Sequence, residues 1–499
     1  MRYKLWRVML FVIVLCFIWY KYYLNIKIAD YDLNKKLLSA KTSTKPVKLK
    51  ISQLVTIILR EFELYENDVT LTAQSFINMF PNIMLWIVYN EVPYPPLDLA
   101  ITNNSLTNIQ LYNLSPGLKH QDDILSQITT KYVLFVPDSS RITSQHPLQV
   151  MLSEIDKNPG SIAVLPVSAH SKGLKCLKLN INQREWTVRY NLAKENNCDE
   201  VVGKHLIMLE KNLLKNMYNP LLLPFPHALY LQSSFQNIQV KILKANSLHE
   251  GKPVLRTHHS QFKKKQSDQE LLKSLYKTFK IKQIIRETGV TEWFGCSKET
   301  PRCFGIVLDS MPSYLFEKKW TPPCCMSNLR KTARHVFSAL DEAGVRYWLE
   351  AGSLLGAMRS GDVLPWDHNV DIGFVRDDLN RCKWLKKAQS KPVVDKKGFL
   401  WEKGTEGNIF KVFYSKTNRI NVNLFPFYSK NGTMTKDSWF TSHKNMEFTD
   451  SFLHPMSSID FVGRSVPSPN NIRDFLELKY GKGCIENPEY PDPNKLRFP

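Results

Sequence analysis

One segment, RYWLEAGSLLGAMRSGDVLPWDHNVDIGFV at residues 346–375, constrains the fold more than any other part of the chain. Apolar residues alternate near its two ends and have helical spacing between them. This pattern predicts a strand, a short helix and a second strand, over 347–350, 354–360 and 370–375. At a turn formed by Gly352 and Ser353, backbone N–H groups can approach a phosphate and the helix dipole favours its charge. The segment predicts a phosphate-binding layer, and a helix packed on a strand hairpin without a ligand is the alternative.

Polar residues on the second predicted strand share one face. Side chains two apart on a strand point the same way, so Asn369 and Asp371 lie together while Val370 and Ile372 face a core. A nucleotidyltransferase-type site places two carboxylates at such positions to bind Mg²⁺ on a diphosphate. Asp371 is therefore the first candidate metal ligand. Asp367, four residues earlier, is a candidate second ligand or the base that deprotonates an acceptor hydroxyl, and a structural residue of an N-terminal turn is the alternative.

The first residues predict a membrane anchor. An apolar stretch at 8–24, interrupted by Lys21, follows three basic residues and makes a short but sufficient bilayer span. The residues after it are bulky and do not form a signal-peptidase site, which favours an uncleaved anchor over a cleaved signal peptide. The basic residues predict a cytosolic tail at 1–7 and a lumenal remainder, joined by a polar tether at 25–48.

Charge and glycosylation motifs agree with a lumenal chain. Lys and Arg outnumber Asp and Glu by 67 to 46, a formal charge of +21 that favours an anionic partner. A lumenal chain does not meet nucleic acid, so we expect a phosphorylated or acidic substrate instead. Three N-glycosylation sequons support the lumenal side, and they begin at Asn103, Asn113 and Asn431.

Residues 49–288 predict a separate stem domain. Three apolar, β-branched runs and one helical stretch are typical of parallel strands in an α/β layer. They lie at 55–61, 84–91, 131–140 and 68–80. The order resembles the opening of a nucleotide-sugar glycosyltransferase domain, in which an apolar strand ends in Asp-x-Asp. Here Asp138 stands alone, and one carboxylate binds a divalent ion poorly. We therefore expect the stem to dock substrate or partners rather than to catalyse.

The cysteines fall into groups by context. Cys176 and Cys198 enclose a loop within the stem, and in an oxidising lumen we expect a disulfide there, with reduced core thiols as the alternative. A second cluster consists of Cys296, Cys303, Cys324 and Cys325. Two disulfides and a closed tetrahedral zinc site both fit the spacing of this cluster.

The carboxy-terminal part resembles the LicD-like phosphotransferases. The resemblance rests on GSLLGAMR followed by PWDHNVDIG, on the spacing of the four clustered cysteines and on three later segments. These segments are NLFPFY at 423–428, NGTMTKDSW at 431–439 and PNNIRDFLELKYGKGCIENPEYPDP at 469–493. The resemblance implies a nucleotidyltransferase-like catalytic domain over 289–499 with a zinc-finger loop at 296–325. The predicted fold is therefore α/β and α+β, a membrane-anchored glycosyltransferase-like stem domain followed by this catalytic domain.

The resemblance also implies an activity and a location. It implies a single-pass type II enzyme of the Golgi membrane whose catalytic part is lumenal. Such an enzyme transfers ribitol 5-phosphate from CDP-ribitol to ribitol 5-phosphate on the O-mannosyl glycan of dystroglycan. Structural Zn²⁺ and catalytic Mg²⁺ or Mn²⁺ are the implied cofactors. Assembly with itself or with related transferases stays open.

The resemblance places the divalent ion on three positions, and two of them are amides in this chain. The positions are Asn369, Asp371 and Asn423. A hairpin predicted over 409–415 and 419–427 would put Asn423 on the face of Asp371. Two missing carboxylates weaken the site, so the alternative function is a weak or inactive relative that acts as a lumenal scaffold or glycan-binding protein.

The donor phosphates are assigned to the glycine-containing turn. Backbone N–H groups around Gly352 and Ser353 are the expected phosphate contacts. Arg359 on the short helix either offsets the charge of the diphosphate or lies on the surface in solvent.

Overall fold

The computed structural model describes most of the chain beyond residue 49. The described residues are 21, 50–97, 108–115, 121–167, 174–193, 197–244, 248–302, 304–305, 311–404, 408–437 and 447–491. The predicted tail, membrane span and tether lie outside them, Lys21 apart, as do Asn103 and Cys303. Among the described residues, no helix combines the length and the apolar character needed to cross a bilayer.

The first unit is a mixed α/β structure. Its strands are β1 (Val55–Leu59), β2 (Met84–Tyr89), β3 (Ile109–Asn113), β4 (Tyr132–Val136), β5 (Ser140–Ile142), β6 (Ile162–Pro166), β7 (Lys175–Asn182), β8 (Thr187–Leu192), β9 (Asn197–Cys198), β10 (Glu200–Val202), β11 (His205–Glu210), β12 (Val240–Ile242), β13 (Leu248–Glu250), β14 (Gln283–Ile285) and β15 (Thr291–Trp293). Its helices are α1 (Ile51–Leu54), α2 (Val69–Met79), α3 (Gln121–Ser126), α4 (His146–Lys157), α5 (Lys211–Lys215), α6 (His227–Phe235) and α7 (His258–Thr278).

Parallel strands form one half of the main sheet of the first unit, which has the order β3-β2-β1-β4-β11-β6-β12-β9. Strand β1 pairs in parallel with β2 and β4, and β2 pairs in parallel with β3. All residues of β1 and β4 are buried, because core clusters lie on both faces of the sheet. The structure therefore contains the parallel α/β layer that the apolar runs predict.

A second sheet of the first unit ends in a hairpin. Its order is β10-β7-β8-β14-β15, and Gln283 of β14 lies opposite Trp293 of β15 in an antiparallel hairpin. Residue 288, the predicted end of the stem, lies between the two strands of this hairpin. Strand β15 escaped prediction because its three residues, two of them polar, have too little alternation to mark a strand.

The second unit contains the segment at residues 346–375. Its strands are β16 (Tyr347–Leu349), β17 (Asn369–Val375), β18 (Val393–Val394), β19 (Leu400–Lys403), β20 (Phe410–Phe413), β21 (Asn421–Lys430), β22 (Thr433–Thr435), β23 (Phe448–Thr449), β24 (Ser457–Phe461) and β25 (Arg464–Ser468). Its α-helices are α8 (Ser313–Phe316), α9 (Pro323–Glu342), α10 (Ala351–Ser360), α11 (Lys383–Ala388) and α12 (Ile472–Tyr480), and 3₁₀-helices span Arg376–Arg381 and Asp450–Leu453.

The central sheet of the second unit has the order β16-β17-β21-β20-β19-β18. Strand β17 pairs antiparallel with β16 and in parallel with β21, and β21 pairs antiparallel with β20. Helix α9 covers this sheet with an apolar face that becomes part of the core. The chain thus has the mixed α/β, two-domain architecture that the sequence predicts.

The two units contact each other through tryptophans. Trp186 of the first unit belongs to the core cluster of the second, and its Nε1 donates a hydrogen bond to the carbonyl of Trp320 at 2.8 Å. The backbone N–H of Trp320 in turn donates to the carbonyl of Arg184 at 2.9 Å. The first unit is therefore anchored to the second by specific contacts.

Candidate functional site

The site is formed where helix α10 follows strand β16. Glu350 precedes the helix, and the helix begins at Ala351, so Gly352 and Ser353 lie in its first turn instead of in a separate turn before it. The helix starts three residues earlier than predicted because the carbonyl of Glu350 already accepts hydrogen bonds from Ser353 and Leu354. N–H groups in the first turn of a helix lack the helical carbonyl four residues earlier as an acceptor, so they can donate hydrogen bonds to a ligand.

Two hydrogen bonds tie this helix to strand β17. The N–H of Asp371 donates to Oγ of Ser353 at 2.8 Å, and the N–H of Glu350 donates to the carbonyl of Asp371 at 3.0 Å. The backbone of the first candidate ligand is therefore fixed against the phosphate-binding turn. Ser353 acts here through its side chain as well as through its place in the helix.

Gly352 lets a carboxylate approach the helix closely. A Cβ at this position would lie 2.9 Å from Oδ2 of Asp367. That distance is too short for any side chain, so a glycine is required if Asp367 keeps its position. Asp367 therefore lies beside the first turn of α10, next to the residues expected to contact phosphate.

The two amide residues both contact Asp371. Nδ2 of Asn369 donates to Oδ1 of Asp371 at 2.6 Å, and Nδ2 of Asn423 donates to the same oxygen at 2.8 Å. This meeting follows from the register, because Asp371 of β17 lies opposite Asn423 of β21. Asn421 completes the row by donating to Oδ1 of Asn423 at 2.7 Å. The predicted common face of these residues is present in the structure.

Burial shapes the electrostatics of the two carboxylates. Burial, followed by the nearby charge of Asp371, raises the pKa of Asp367 to about 7. Burial also raises the pKa of Asp371, while hydrogen bonds from the two asparagines and the charges of Lys436 and Lys411 act in the opposite direction. A carboxyl with a pKa near neutrality is suited to accept a proton from a substrate hydroxyl.

The residues at this site fit a hard divalent cation. Asp367 and Asp371 are close enough for the charge of one to raise the pKa of the other, which is an arrangement that a cation would relieve. Asn369 and Asn423 contact Asp371 and carry carbonyl oxygens that can ligate Mg²⁺ after the amide groups rotate. The donor set is therefore oxygen-rich, although two of its four members are uncharged.

Arg359 has a structural role in this fold. Its guanidinium donates hydrogen bonds to the carbonyls of Ile485 and Glu486 in the segment after helix α12. Arg359 is exposed, as its surface alternative predicts, and these contacts hold the carboxy-terminal segment. An arginine at the last turn of a short helix reaches neighbouring carbonyls more easily than a ligand at the first turn.

Lys411 and Lys436 are charged residues near the site that sequence reasoning missed. Lys411 lies opposite Asn423 in the β20–β21 pairing, and Lys436 directly follows β22. The alternation of residues along the predicted hairpin is the signal from which the closeness of Lys411 to Asn423 could have been inferred. No periodicity marks Lys436, because it lies just beyond a three-residue strand.

The cysteines are grouped as the sequence indicates. A disulfide joins Cys176 to Cys198, which confirms that pairing. A second disulfide joins Cys296 to Cys324, and the sulfur atoms of these two and of Cys325 all lie within 4.8 Å of one another. The fourth cysteine of the cluster lies outside the described residues. The described sulfur atoms are therefore close enough together for either disulfides or a zinc site.

The two described sequons differ in accessibility. Asn431 is exposed at the turn between β21 and β22, where it adopts a positive φ of 51°. Asn113 ends strand β3 and is partly buried, and its Oδ1 accepts hydrogen bonds from the N–H and the hydroxyl of Ser115. Asn431 is therefore the more accessible glycosylation site of the two.

The stem position that resembles a metal site is occupied by internal hydrogen bonds. The carboxylate of Asp138 accepts from the N–H groups of Asp68 and Ser139, at 2.8 and 2.6 Å. Asp68 itself forms an ion pair with Arg141. The carboxylates of Asp138 and Asp68 are therefore both engaged in contacts within the stem.

In the second unit, acidic and amide side chains at two parallel strands lie beside the first turn of a glycine-containing helix. This arrangement is typical of a nucleotidyltransferase-like domain, and the second unit is of this class. The chain belongs to the fukutin-related protein family. The family model of the fukutin-related protein stem domain matches residues 41–287, and that of the LicD/FKTN/FKRP nucleotidyltransferase domain matches residues 344–471.

Named relatives agree with this membership. The chain is 40% identical over 450 residues to the ribitol 5-phosphate transferase FKRP of Mus musculus, covering 89% of this chain and 90% of that protein. It is also 40% identical over 446 residues to the Homo sapiens protein of the same name, covering 89% of each. Among solved structures, S. aureus TarS 1–349 in complex with UDP-GlcNAc is 15% identical, covering 44% of this chain and 65% of that chain, with a TM-score of 0.29.

Proposed function

We propose that this protein transfers ribitol 5-phosphate from CDP-ribitol to ribitol 5-phosphate on the O-mannosyl glycan of dystroglycan. The observation that carries the proposal is the pair of partly buried acids, Asp367 and Asp371, held at the first turn of helix α10. Relatives also support the proposal, because the two proteins that match 89% of the chain are named ribitol 5-phosphate transferase. The surplus of positive charge suits a donor and an acceptor that both carry phosphate.

The residues of the site have separate tasks in this reaction. In this proposal the first-turn N–H groups of Ala351 and Gly352 contact donor phosphate oxygens, whereas the N–H of Ser353, which the sequence also suggested, already donates to the carbonyl of Glu350. Asp367, whose pKa is about 7, accepts the proton of the acceptor hydroxyl. The hydroxyl oxygen then forms a bond to the ribitol-bearing phosphorus while the bond from that phosphorus to the CMP oxygen breaks.

We further propose that Asp371, Asn369 and Asn423 hold Mg²⁺ or Mn²⁺. When bound, the ion neutralises charge on the diphosphate and on the leaving CMP. Holding it requires the amide groups of Asn369 and Asn423 to turn their oxygens toward the ion, which breaks their hydrogen bonds to Asp371. Because this chain supplies fewer negative charges than a site of carboxylates, we expect the ion to bind weakly.

A transfer assay tests the proposal. Purified full chain, CDP-ribitol, a ribitol phosphate acceptor glycopeptide and Mg²⁺ or Mn²⁺ should yield CMP and an extended glycan. Asp371→Asn should lower the rate more than about 100-fold, since it removes a charge at the centre of the site. Asp377→Asn, which alters an exposed carboxylate shortly after the same strand, should leave the rate unchanged. A wild-type chain that forms no product at any metal concentration would instead support the alternative of a lumenal scaffold or glycan-binding protein.

We propose a Golgi location with a type II topology. In this arrangement 1–7 are cytosolic, 8–24 span the membrane, 25–48 form the tether, and the stem and catalytic domains are lumenal. The Cys176–Cys198 disulfide supports an oxidising compartment, and the exposed Asn431 offers a glycan site there. Treatment with peptide N-glycosidase should shift the wild-type chain, and Asn431→Gln should reduce that shift.

We also propose that Cys296, Cys303, Cys324 and Cys325 hold a structural Zn²⁺. A tetrahedral site with Zn–S bonds of about 2.3 Å places its sulfur atoms about 3.8 Å apart. Three of the four sulfur atoms already lie within 4.8 Å of one another. The Cys296–Cys324 disulfide is the competing state of the same atoms, and zinc analysis distinguishes the two.

A further inference from the structure

A pair of lysines flanks the acid pair without a task in the reaction described so far. Lys411 of β20 lies directly opposite Asn423 of β21. Cross-strand partners share a face of a sheet, so Lys411 belongs to the face that carries Asp371. The charge of Lys411 acts on Asp371, as does that of Lys436.

Lys436 is unusual because it is buried. The residue is 5% exposed, and its Nζ lies 4.5 Å from the ring centre of Phe425 and 5.4 Å from that of Phe427. Aromatic faces attract an ammonium group, but removing it from water still costs free energy. Burial lowers the pKa of Lys436 to about 8, and Asp371 opposes this effect, so the group keeps its proton at neutral pH.

The charges at the site explain what such a cation can do. Two carboxylates, Asp367 and Asp371, lie at the site, and the charges of two ammonium groups, Lys411 and Lys436, act on Asp371. Asn369 and Asn423 are neutral and add no charge to this site. A diphosphate brings several negative charges to it, and fixed positive charge in a buried place is worth more than the same charge in water.

We propose that Lys436 and Lys411 form a phosphate-binding subsite for a substrate of this enzyme. The inference rests on the proposed function, because it adds two contacts to that same site. The phosphate comes either from the cytidine diphosphate donor or from the ribitol phosphate acceptor, and both present the same anionic oxygens. In either case the ammonium groups bind the phosphate beside Asp371 without requiring a metal ion.

Binding measurements test the lysines apart from the transfer reaction. Calorimetry with purified full chain in EDTA gives the Kd of CDP and, in a second series, of ribitol 5-phosphate. Lys436→Met keeps an apolar stem against Phe425 and Phe427 but removes the charge, and we expect about tenfold weaker binding of one of the two probes. Lys436→Arg should restore most of the loss. Lys430→Met, at the exposed end of β21, is the matched control and should bind as wild type does.

The two series identify the source of the phosphate. Weaker CDP binding assigns the subsite to the donor, and weaker ribitol 5-phosphate binding assigns it to the acceptor. Lys411→Met gives an independent result at a partly buried position, which protects the test if Lys436→Met fails to fold. The inference is wrong if the folded lysine variants bind both probes as tightly as wild type.

The transfer assay keeps this inference distinct from the proposed function. Unchanged binding in the lysine variants together with CMP release by wild type overturns the subsite alone. Lysine-dependent binding in a wild-type chain that transfers nothing overturns the proposed function and leaves the subsite in place.

Discussion

Lys479 of helix α12 forms a buried ion pair with Glu350, the residue that precedes the site helix. The two side chains are 4% and 6% exposed, and Nε1 of Trp348 donates to the other carboxylate oxygen of Glu350 at 2.8 Å. Because the N–H of Glu350 also bonds to Asp371, the pair connects the carboxy-terminal helix to the reacting centre.

Removing the lysine of this pair should destabilise the protein. Lys479→Met leaves the Glu350 carboxylate buried without its cation, and we expect a loss of about 3–5 kcal/mol in the free energy of unfolding. Urea unfolding of the purified chain measures it. Lys482→Met, at an exposed position just after the helix, serves as the control and should change little. Equal stability of Lys479→Met and wild type would show that the pair contributes nothing.

Carboxylates in place of the two amides should strengthen metal binding. Asn369→Asp and Asn423→Asp each add a charge beside Asp371, and we expect the Mg²⁺ concentration for half-maximal transfer to fall roughly tenfold for each. A Mg²⁺ titration of the initial rate measures this. Asn421→Asp adds the same charge one position farther along the same face and should have a smaller effect. If neither substitution lowers the required concentration, these positions do not hold the ion.

The pH dependence of the rate should report on Asp367. A base must be unprotonated to act, and the pKa of Asp367 is raised to about 7, so the rate should rise as the pH increases through about 7 and level off above it. Initial rates of CMP release at saturating substrate, between about pH 5.5 and 8.5, measure this limb. Asp367→Asn should abolish it. A bound cation lowers the pKa of a carboxyl that ligates it, so a limb that lies well below neutrality would assign Asp367 to the metal instead.

The cysteine cluster should contain one zinc ion per chain. Elemental analysis of protein purified without chelator measures the metal, and Cys324→Ser should lose it because three thiolates hold zinc less tightly than four. Cys484→Ser changes a cysteine outside the cluster and should retain the ion. Zinc-free wild-type protein whose clustered cysteines resist thiol-specific alkylation would identify disulfides in their place.

The strands and the acid face were predictable because their signals are local. Alternation of apolar residues fixes which side chains of β17 and β21 share a face, and the contacts of Asn369, Asp371 and Asn423 follow from the pairing of these two strands. No local pattern marks Lys436, because its closeness to Asp371 depends on how the hairpin of β21 and β22 folds back. The contacts of Arg359 were unpredictable for a related reason, because the carbonyls to which it donates come from a segment more than a hundred residues away.

The tryptophan contact between the two units has a consequence for how sequence changes are interpreted. Trp186 belongs to the stem, yet it completes the hydrophobic core beneath the domain that holds the acid pair. We expect a replacement of Trp186 to impair catalysis by weakening the packing of this core, although every residue that contacts substrate is unchanged. Harmful variation in this chain is thus not confined to its chemically active half.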